Sequence, residues 1–320
     1  MTNKRWFLVA AFFCALFSLL LAIPRADASD YTIPQIKVYR TEDLAVLSTF
    51  LAYSENFKGG AFVAAGDIDG DGKGEIVTGA GRGGGPHIQF FNKNGTLAYS
   101  GFLAFHPDFR GGLSVATGDV NGDGIEEIIC AQASTGQAWV KVYNNNQEVL
   151  ANFLAFPEGF QGGAFVAAGD INGDGKDEII TGAGAGGGPH VRAFDGNGKD
   201  TGINFFPYPS DYKGGVTVAA GDVDKDGIDE LIVGAASDAT ARIKIYRADA
   251  AKTILAEHIM YPESFQGGVT VAAGDVDGDG VDEIITGAGE SGGPHVRGME
   301  LNGRLLTTNF MAYHREFRGG

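Results

Sequence analysis

Short apolar runs recur along the chain, and each run is bounded by glycine or by a cluster of polar turn residues. Within residues 59–109 the runs fall at 61–66, 76–80, 87–91 and 101–105. Short runs that are rich in β-branched and aromatic side chains and end at glycine are typical of strands. The pattern therefore predicts a unit of four short strands separated by turns.

This four-stranded unit repeats five times, with a period of about 52 residues. The first strand of each unit contains Val-Ala-Ala or Val-Ala-Thr, at 63–65, 115–117, 166–168, 218–220 and 271–273. Four short strands per unit are the pattern of a propeller blade. Small side chains suit the innermost strand, because the strands converge near the axis. We therefore predict an all-β fold, a β-propeller of four-stranded blades.

Residues 36–40 and 48–53 precede the first full unit and match its third and fourth strands. The sequence thus predicts five full blades and an N-terminal half-blade, a six-bladed design that lacks one inner pair of strands. We expect this pair to be missing either because the chain is a fragment or because a partner supplies it. The alternative is a five-bladed ring on which residues 36–54 pack as an outer hairpin.

An acidic loop separates the first and second strands of each unit, and its first copy reads Asp-Ile-Asp-Gly-Asp-Gly-Lys-Gly-Glu at 67–75. Acidic or amide side chains stand at loop positions 1, 3, 5 and 9, and only oxygen ligands are offered. Calcium takes six to eight oxygens, and the carbonyl at position 7 would complete each shell. We expect about five calcium sites. The predicted ligands are Asp67, Asp69, Asp71, Lys73 and Glu75; Asp119, Asn121, Asp123, Ile125 and Glu127; Asp170, Asn172, Asp174, Lys176 and Glu178; Asp222, Asp224, Asp226, Ile228 and Glu230; and Asp275, Asp277, Asp279, Val281 and Glu283.

Two other interpretations of the loop can be compared with a propeller calcium site. An EF-hand loop needs a carboxylate at position 12 and a helix after it. Position 12 is Thr78 in the first copy, and the following segment, 75–80, has the pattern of a strand. Metal-free turns held by local hydrogen bonds of aspartate remain the alternative. Against them, several carboxylates within nine residues repel each other unless a cation lies between them.

Composition and charge agree with a large β-rich domain outside the cytoplasm. The 320 residues are 44% hydrophobic and include 51 glycines, and the formal net charge is −16, which argues against a nucleic-acid partner. Residues 1–28 have a basic start, an apolar run and a small-residue cleavage site, so we predict a signal peptide. The alternative is a retained membrane anchor. Residues 29–320 are then one propeller domain, with Cys130 as its single cysteine and no internal disulfide.

A second pattern distinguishes odd from even repeats. Gly-Pro-His precedes the third strand in repeats 1, 3 and 5, which places His87, His190 and His295 at equivalent positions. These imidazoles could line one rim of the propeller and contact an anionic ligand, a sugar or a soft metal. Alternatively, the tripeptide closes the turn into the third strand, and each imidazole bonds to backbone.

The repeats resemble the FG-GAP repeats of integrin α-subunit propellers and their bacterial VCBS relatives. The resemblance rests on Phe-x-Gly-Gly, Val-Ala-Ala-Gly-Asp, the acidic loop, and Gly-Ala-Gly at 79–81, 182–184 and 287–289, and it covers residues 36–320. It implies a calcium-binding β-propeller with each cation between the first and second strands of a blade. Glycine replaces the proline of the family's Gly-Ala-Pro in repeats 1, 3 and 5, and repeats 2 and 4 have Ala-Gln-Ala at 131–133 and Gly-Ala-Ala at 234–236. Position 9 is Glu instead of Asp, so the ligand of any one family member does not transfer.

From these features we expect an exported protein, secreted, periplasmic or at the cell surface, that serves as a non-catalytic binding or adhesion module. Its partner would be a glycan or a protein, and it would contact a membrane only if the N-terminal segment is retained. The alternatives are a polysaccharide lyase or hydrolase built on a propeller, or a passive surface scaffold. Catalysis needs an acid and a base in different environments, whereas more than half of the acidic residues here belong to a repeated loop.

Overall fold

The computed structural model describes residues 33–314 and residue 317. The predicted signal peptide at 1–28 lies outside these residues. Within them, all regular structure is β, in 22 strands. The described chain has no helix that is long and apolar enough to cross a membrane.

Five antiparallel sheets of four strands form the blades, and the strands of each sheet follow chain order. The register places the last residue of each first strand opposite the first residue of the second, as in Gly66↔Glu75. The all-β propeller of four-stranded blades is thereby confirmed. The blades comprise β3 (Ala61–Gly66), β4 (Glu75–Ala80), β5 (His87–Phe91) and β6 (Leu97–Leu103); β7 (Leu113–Gly118), β8 (Glu127–Gln132), β9 (Trp139–Tyr143) and β10 (Val149–Leu154); β11 (Ala164–Gly169), β12 (Glu178–Ala183), β13 (Val191–Phe194) and β14 (Asp200–Phe205); β15 (Val216–Gly221), β16 (Glu230–Ala235), β17 (Arg242–Tyr246) and β18 (Ile254–Ile259); and β19 (Val269–Gly274), β20 (Glu283–Ala288), β21 (His295–Met299) and β22 (Leu305–Met311).

The hydrophobic core lies between blades. Ile88 and Phe90 of blade 1, for example, pack on Leu113 and Ile128 of blade 2, and all four are almost fully buried. Burial of one such side chain contributes about 1.5–3 kcal/mol. Because each cluster draws on two neighbouring blades, no blade is stable without its neighbours, which is the physical basis of the repeat.

Each third strand is also fixed to the segment that joins its blade to the preceding one. In blade 2, Lys141 Nζ and Tyr143 Oη both donate to the carbonyl oxygen of Ala104, at 2.9 and 2.7 Å. In blade 4, Lys244 Nζ makes the same kind of bond to Pro207 O at 2.9 Å. These bonds set the spacing between neighbouring blades.

The N-terminal strands β1 (Gln35–Tyr39) and β2 (Val46–Leu51) form a separate two-stranded sheet. Lys37 Nζ and Tyr39 Oη donate to Ala312 O, as Lys141 and Tyr143 do at Ala104. Ile36 and Val38 face the other way and pack against blade 1. The sheet therefore lies between blades 5 and 1, at the outer half of a sixth blade position.

No inner pair accompanies this half-blade among residues 33–314. The side chains of blade 5 that face the half-blade are nevertheless buried, with Ala272 2% and Ile285 0% exposed. Tyr39 of the half-blade packs in the same cluster. Five full blades and one N-terminal half-blade thus form the ring, as the repeat count predicts.

Candidate metal centre

The acidic loops are hairpin connections between the two innermost strands of each blade. Glycine at positions 4 and 6 takes the left-handed conformation, as Gly122 (φ 83°) and Gly124 (φ 86°) do in blade 2. A residue with Cβ is strained there. Blade 4 is the exception, because Lys225 stands at position 4 with φ 66°.

The aspartate at position 1 organises the loop. In blade 1, Asp67 Oδ1 accepts hydrogen bonds from Gly70 N and Asp71 N, and its Oδ2 accepts one from Gly72 N at 2.8 Å. Backbone N–H groups at positions 5 and 6 bond the position 1 carboxylate in all five loops. These are the local bonds that a metal-free turn would use. A carboxylate has about four acceptor sites, so lone pairs remain for a cation.

The glutamate at position 9 is the first residue of the second strand, and its side chain is almost completely buried in every blade, with 1–4% exposed. The oxygens Glu75 Oε2, Glu127 Oε2, Glu178 Oε2 and both oxygens of Glu230 are buried with no hydrogen-bond partner among the described residues. Leaving a buried carboxylate oxygen without a partner is unfavourable. The donor set therefore fits a hard cation at this point of the loop.

Burial, followed by repulsion from the aspartates of the same loop, raises the pKa of these glutamates. The pKa of Glu75, Glu127, Glu178 and Glu283 rises to about 7, and that of Glu230 to about 8. In Glu283 the second largest cause is instead a hydrogen bond from Val276 N, which lowers the pKa. A cation in the loop would reverse the rise by favouring the ionised form.

The five loops differ in charge. Three of them hold a cluster of carboxylates whose ligand atoms lie within 4.8 Å of one another: Asp67, Asp69 and Asp71; Asp222, Asp224 and Glu230; and Asp275, Asp277 and Asp279. In blades 2 and 3 the amide of position 3 donates to the glutamate of position 9, from Asn121 Nδ2 to Glu127 at 2.7 Å and from Asn172 Nδ2 to Glu178 at 2.6 Å.

The loops also mark the family of the chain. The family of FG-GAP-like repeats matches residues 67–130, 119–181, 170–233 and 222–286, and each match runs from position 1 of one loop into the second strand of the next blade. The chain belongs to the FG-GAP-like repeat family. In this FG-GAP propeller the acidic loop lies between the first and second strands of each blade, as the family resemblance predicts.

Known relatives of this FG-GAP propeller include integrin α subunits. It is 25% identical over 244 residues to human integrin alpha-8 and 28% identical over 253 residues to chicken integrin alpha-V. Each match covers 66% of this chain but only 22% or 23% of the integrin, so the chain spans less than a quarter of the curated relatives it matches. A crystal structure of a protein of unknown function from Bacteroides caccae shares the fold, with a TM-score of 0.55 and 11% identity over 93% of this chain and 96% of that one.

Position 8 of the loop links neighbouring blades of the FG-GAP propeller, a role that sequence analysis does not anticipate. Asp119 N donates to Asp177 Oδ2 of the next blade at 2.9 Å, and Asp177 N donates back to Asp119 O at 3.0 Å. Burial raises the pKa of Asp177 to about 6. In the sequence, this link between blades is marked by the repeated pair of acidic residues at positions 8 and 9. Position 8 is Glu126, Asp177, Asp229 and Asp282 in blades 2 to 5 and Gly74 in blade 1.

The innermost strands of all five blades line an axial cavity of about 640 Å³. The rings of Phe62 and Phe165, from blades 1 and 3, meet in it with their centroids 6.2 Å apart. The equivalent residues in the other blades are Ser114, Thr217 and Thr270. The sequence carries no local signal for this aromatic pair, because the two residues meet only across the axis of the ring.

The three histidines lie between the outermost strand of their own blade and an aromatic ring of the preceding segment. His190 Nε2 donates to Asn204 Oδ1 at 2.6 Å, and its ring lies 5.3 Å from that of Phe156 in the preceding segment. The same ring also stacks on Phe206, which follows β14 of its own blade, with centroids 4.5 Å apart. His295 makes the equivalent bond to Asn309 at 2.5 Å. His87 lies 6.0 Å from the ring of Tyr53. None of the three belongs to a described cluster of metal-ligating side chains.

Proposed function

We propose that this FG-GAP propeller is an exported calcium-binding module that binds a glycan or a protein at the cell surface and catalyses no reaction. The observation that carries the calcium assignment is the buried glutamate at position 9. Four blades keep at least one of its oxygens without a hydrogen-bond partner in the part of the chain described. A hard cation with oxygen ligands satisfies such a group.

Calcium would supply positive charge at the point where the carboxylates of one loop converge. Asp67, Asp69, Asp71 and Glu75 would hold it in blade 1 with the carbonyl of Lys73, and the corresponding residues would do so in the other blades. Each loop joins the two innermost strands, so a filled loop fixes the part of the blade nearest the axis. Cys130 is buried and makes no disulfide, so calcium is the cross-link that this propeller would use outside the cell.

The axial cavity is the place where we expect the ligand to bind. Its volume of about 640 Å³ falls within the range of about 300–1,000 Å³ that small-ligand sites occupy. Phe62 and Phe165 offer apolar ring faces, on which the C–H face of a sugar can pack. Arg82 and Gln161 also line the cavity and can hydrogen bond to hydroxyl or carboxylate groups.

A glycan array probed in calcium and again in EDTA tests this function. We expect binding to a restricted class of glycans, loss of binding in EDTA, and weaker binding by Phe62→Ala. Leu97→Ala is the matched control, because Leu97 is 62% exposed on the outermost strand. If no glycan binds, cross-linking to surface proteins tests whether the ligand is a protein instead. Release of new chain ends from a bound polysaccharide would overturn the non-catalytic assignment.

A further inference from the structure

One side chain in blade 4 carries its own positive charge into an acidic loop. Arg247 follows β17, and its Nη2 lies 2.5 Å from Asp224 Oδ2 and 3.4 Å from Asp226 Oδ2. Its Nε lies 4.0 Å from Glu230 Oε1. The guanidinium group therefore contacts positions 3 and 5 of the loop and approaches position 9.

No other blade has a cationic residue directly after its third strand, although in blade 1 the exposed Lys73 Nζ lies 2.8 Å from one loop carboxylate, Asp71 Oδ2. The residue that follows the third strand is Asn92, Asn144, Asp195 and Glu300 in blades 1, 2, 3 and 5. In blade 2, Asn144 Oδ1 accepts backbone N–H groups of its own turn and so remains outside the acidic loop. Arg247 is thus a departure from the repeat that is confined to one blade.

Blade 4 departs from the repeat at a second position of the same loop. Lys225 replaces the glycine of position 4, and its Nζ donates to Asp279 O in the loop of blade 5 at 2.8 Å. This ammonium group points away from the carboxylates of its own loop. The charge within the blade 4 loop is therefore set by Arg247.

A guanidinium and a calcium ion compete for the same oxygens. Asp224 and Asp226 would both be calcium ligands, and an ion can bind them fully only if Arg247 moves away. An isolated exposed ion pair contributes little, but this one group faces three carboxylates, and Glu230 among them is 1% exposed. We propose that Arg247 is a tethered cation that takes the place of calcium in the blade 4 loop, so that this loop binds calcium more weakly than the other four. The inference rests on the calcium function proposed above.

Equilibrium dialysis with calcium tests the inference through stoichiometry. We expect wild-type protein to bind one ion fewer than its number of acidic loops at the calcium concentration that fills the others. Arg247→Asn copies the residue of blades 1 and 2 and should bind one ion more than wild type. Arg242→Gln is the matched control, because Arg242 lies on the same strand and pairs with Glu257 outside the loop. It should leave the stoichiometry unchanged.

Thermal melts in EDTA give a second readout that does not depend on bound calcium. Without Arg247 the carboxylates of blade 4 repel each other, so Arg247→Asn should melt at a lower temperature than Arg242→Gln, and calcium should reverse the difference. The converse variant, Asn144→Arg, should lower the stoichiometry by one ion by placing a guanidinium beside the blade 2 loop.

The outcomes separate this inference from the calcium proposal itself. If wild type and Arg247→Asn bind the same number of ions with the same affinity, the tethered-cation role is wrong and the calcium function stands. If no variant binds any calcium, both are wrong.

Discussion

The chemistry of each loop depends on the glutamate at position 9, because its side chain is the buried member of the ligand set. The longer side chain of Glu reaches from the start of the second strand into the loop, where Asp would end one carbon short. Its neighbours at positions 1, 3 and 5 are half-buried or exposed, and in blade 1 each of them accepts backbone N–H groups.

In the calcium-free protein, these glutamates should make stability depend on pH. Their pKa values of about 7, and of about 8 for Glu230, lie above the ordinary value of 4.5. The folded state holds these protons more tightly, so the contribution is fully present below about pH 4.5 and is lost as pH rises to about 8. We expect the melting temperature in EDTA to fall between about pH 5 and 8. Calcium should remove most of this fall, and parallel curves with and without calcium would contradict the assignment.

Replacing one position 1 aspartate should remove one ion. Asp67→Ala deletes a ligand and the acceptor of three backbone N–H groups, so we expect one bound calcium fewer and a loss of about 1–3 kcal/mol in unfolding free energy. The other loops should keep their ions, because repeats are coupled only through neighbours. Asp108→Ala is the control, since its side chain is 88% exposed and lies outside the loops. Loss of all ions at once would refute independent sites.

Among the elements, the hairpins of neighbouring blades are coupled through position 8. Asp177→Ala removes the acceptor of Asp119 N–H, and we expect it to lower the unfolding free energy by about 1–3 kcal/mol. Asp177→Asn keeps an acceptor oxygen and removes a buried charge, so it should lose less. Urea unfolding of both variants checks the order, and equal losses would show that the charge, and not the hydrogen bond, holds the blades together.

Elements and loops could be predicted from the sequence because their signals are local. The ligand positions lie within nine residues, and the four strands of a blade lie within one period. The contacts between blades could not be predicted, because they join distant parts of the chain. Asp119 and Asp177 are 58 residues apart, and Phe62 meets Phe165 only once the ring has closed. The approach of Arg247 to Asp224 depends on the path of one side chain across the blade.

For the whole molecule, closure of the ring depends on the half-blade. Tyr313 Oη donates to Gln35 O at 2.8 Å, just as Tyr53 Oη donates to His87 O at 2.8 Å within the ring. The interface between blade 5 and the half-blade thus repeats the contacts of the other interfaces. The period predicts this arrangement, but it does not predict that Ile285 at that interface is fully buried, which results from its packing in one cluster with Tyr39 and Ala272.

The central claim, that calcium holds this propeller together, is tested most directly by calorimetry of the same protein in about 1 mM calcium and in excess EDTA. Extracellular calcium modules bind with dissociation constants of about 0.1–1 mM, so each filled loop should contribute about 0.4–1.4 kcal/mol. Together the loops contribute several kcal/mol, a large part of a net stability of about 5–15 kcal/mol. We predict that chelation lowers the melting temperature by at least about 4 °C and that added calcium restores it. Superimposable melting curves in calcium and EDTA would contradict the claim.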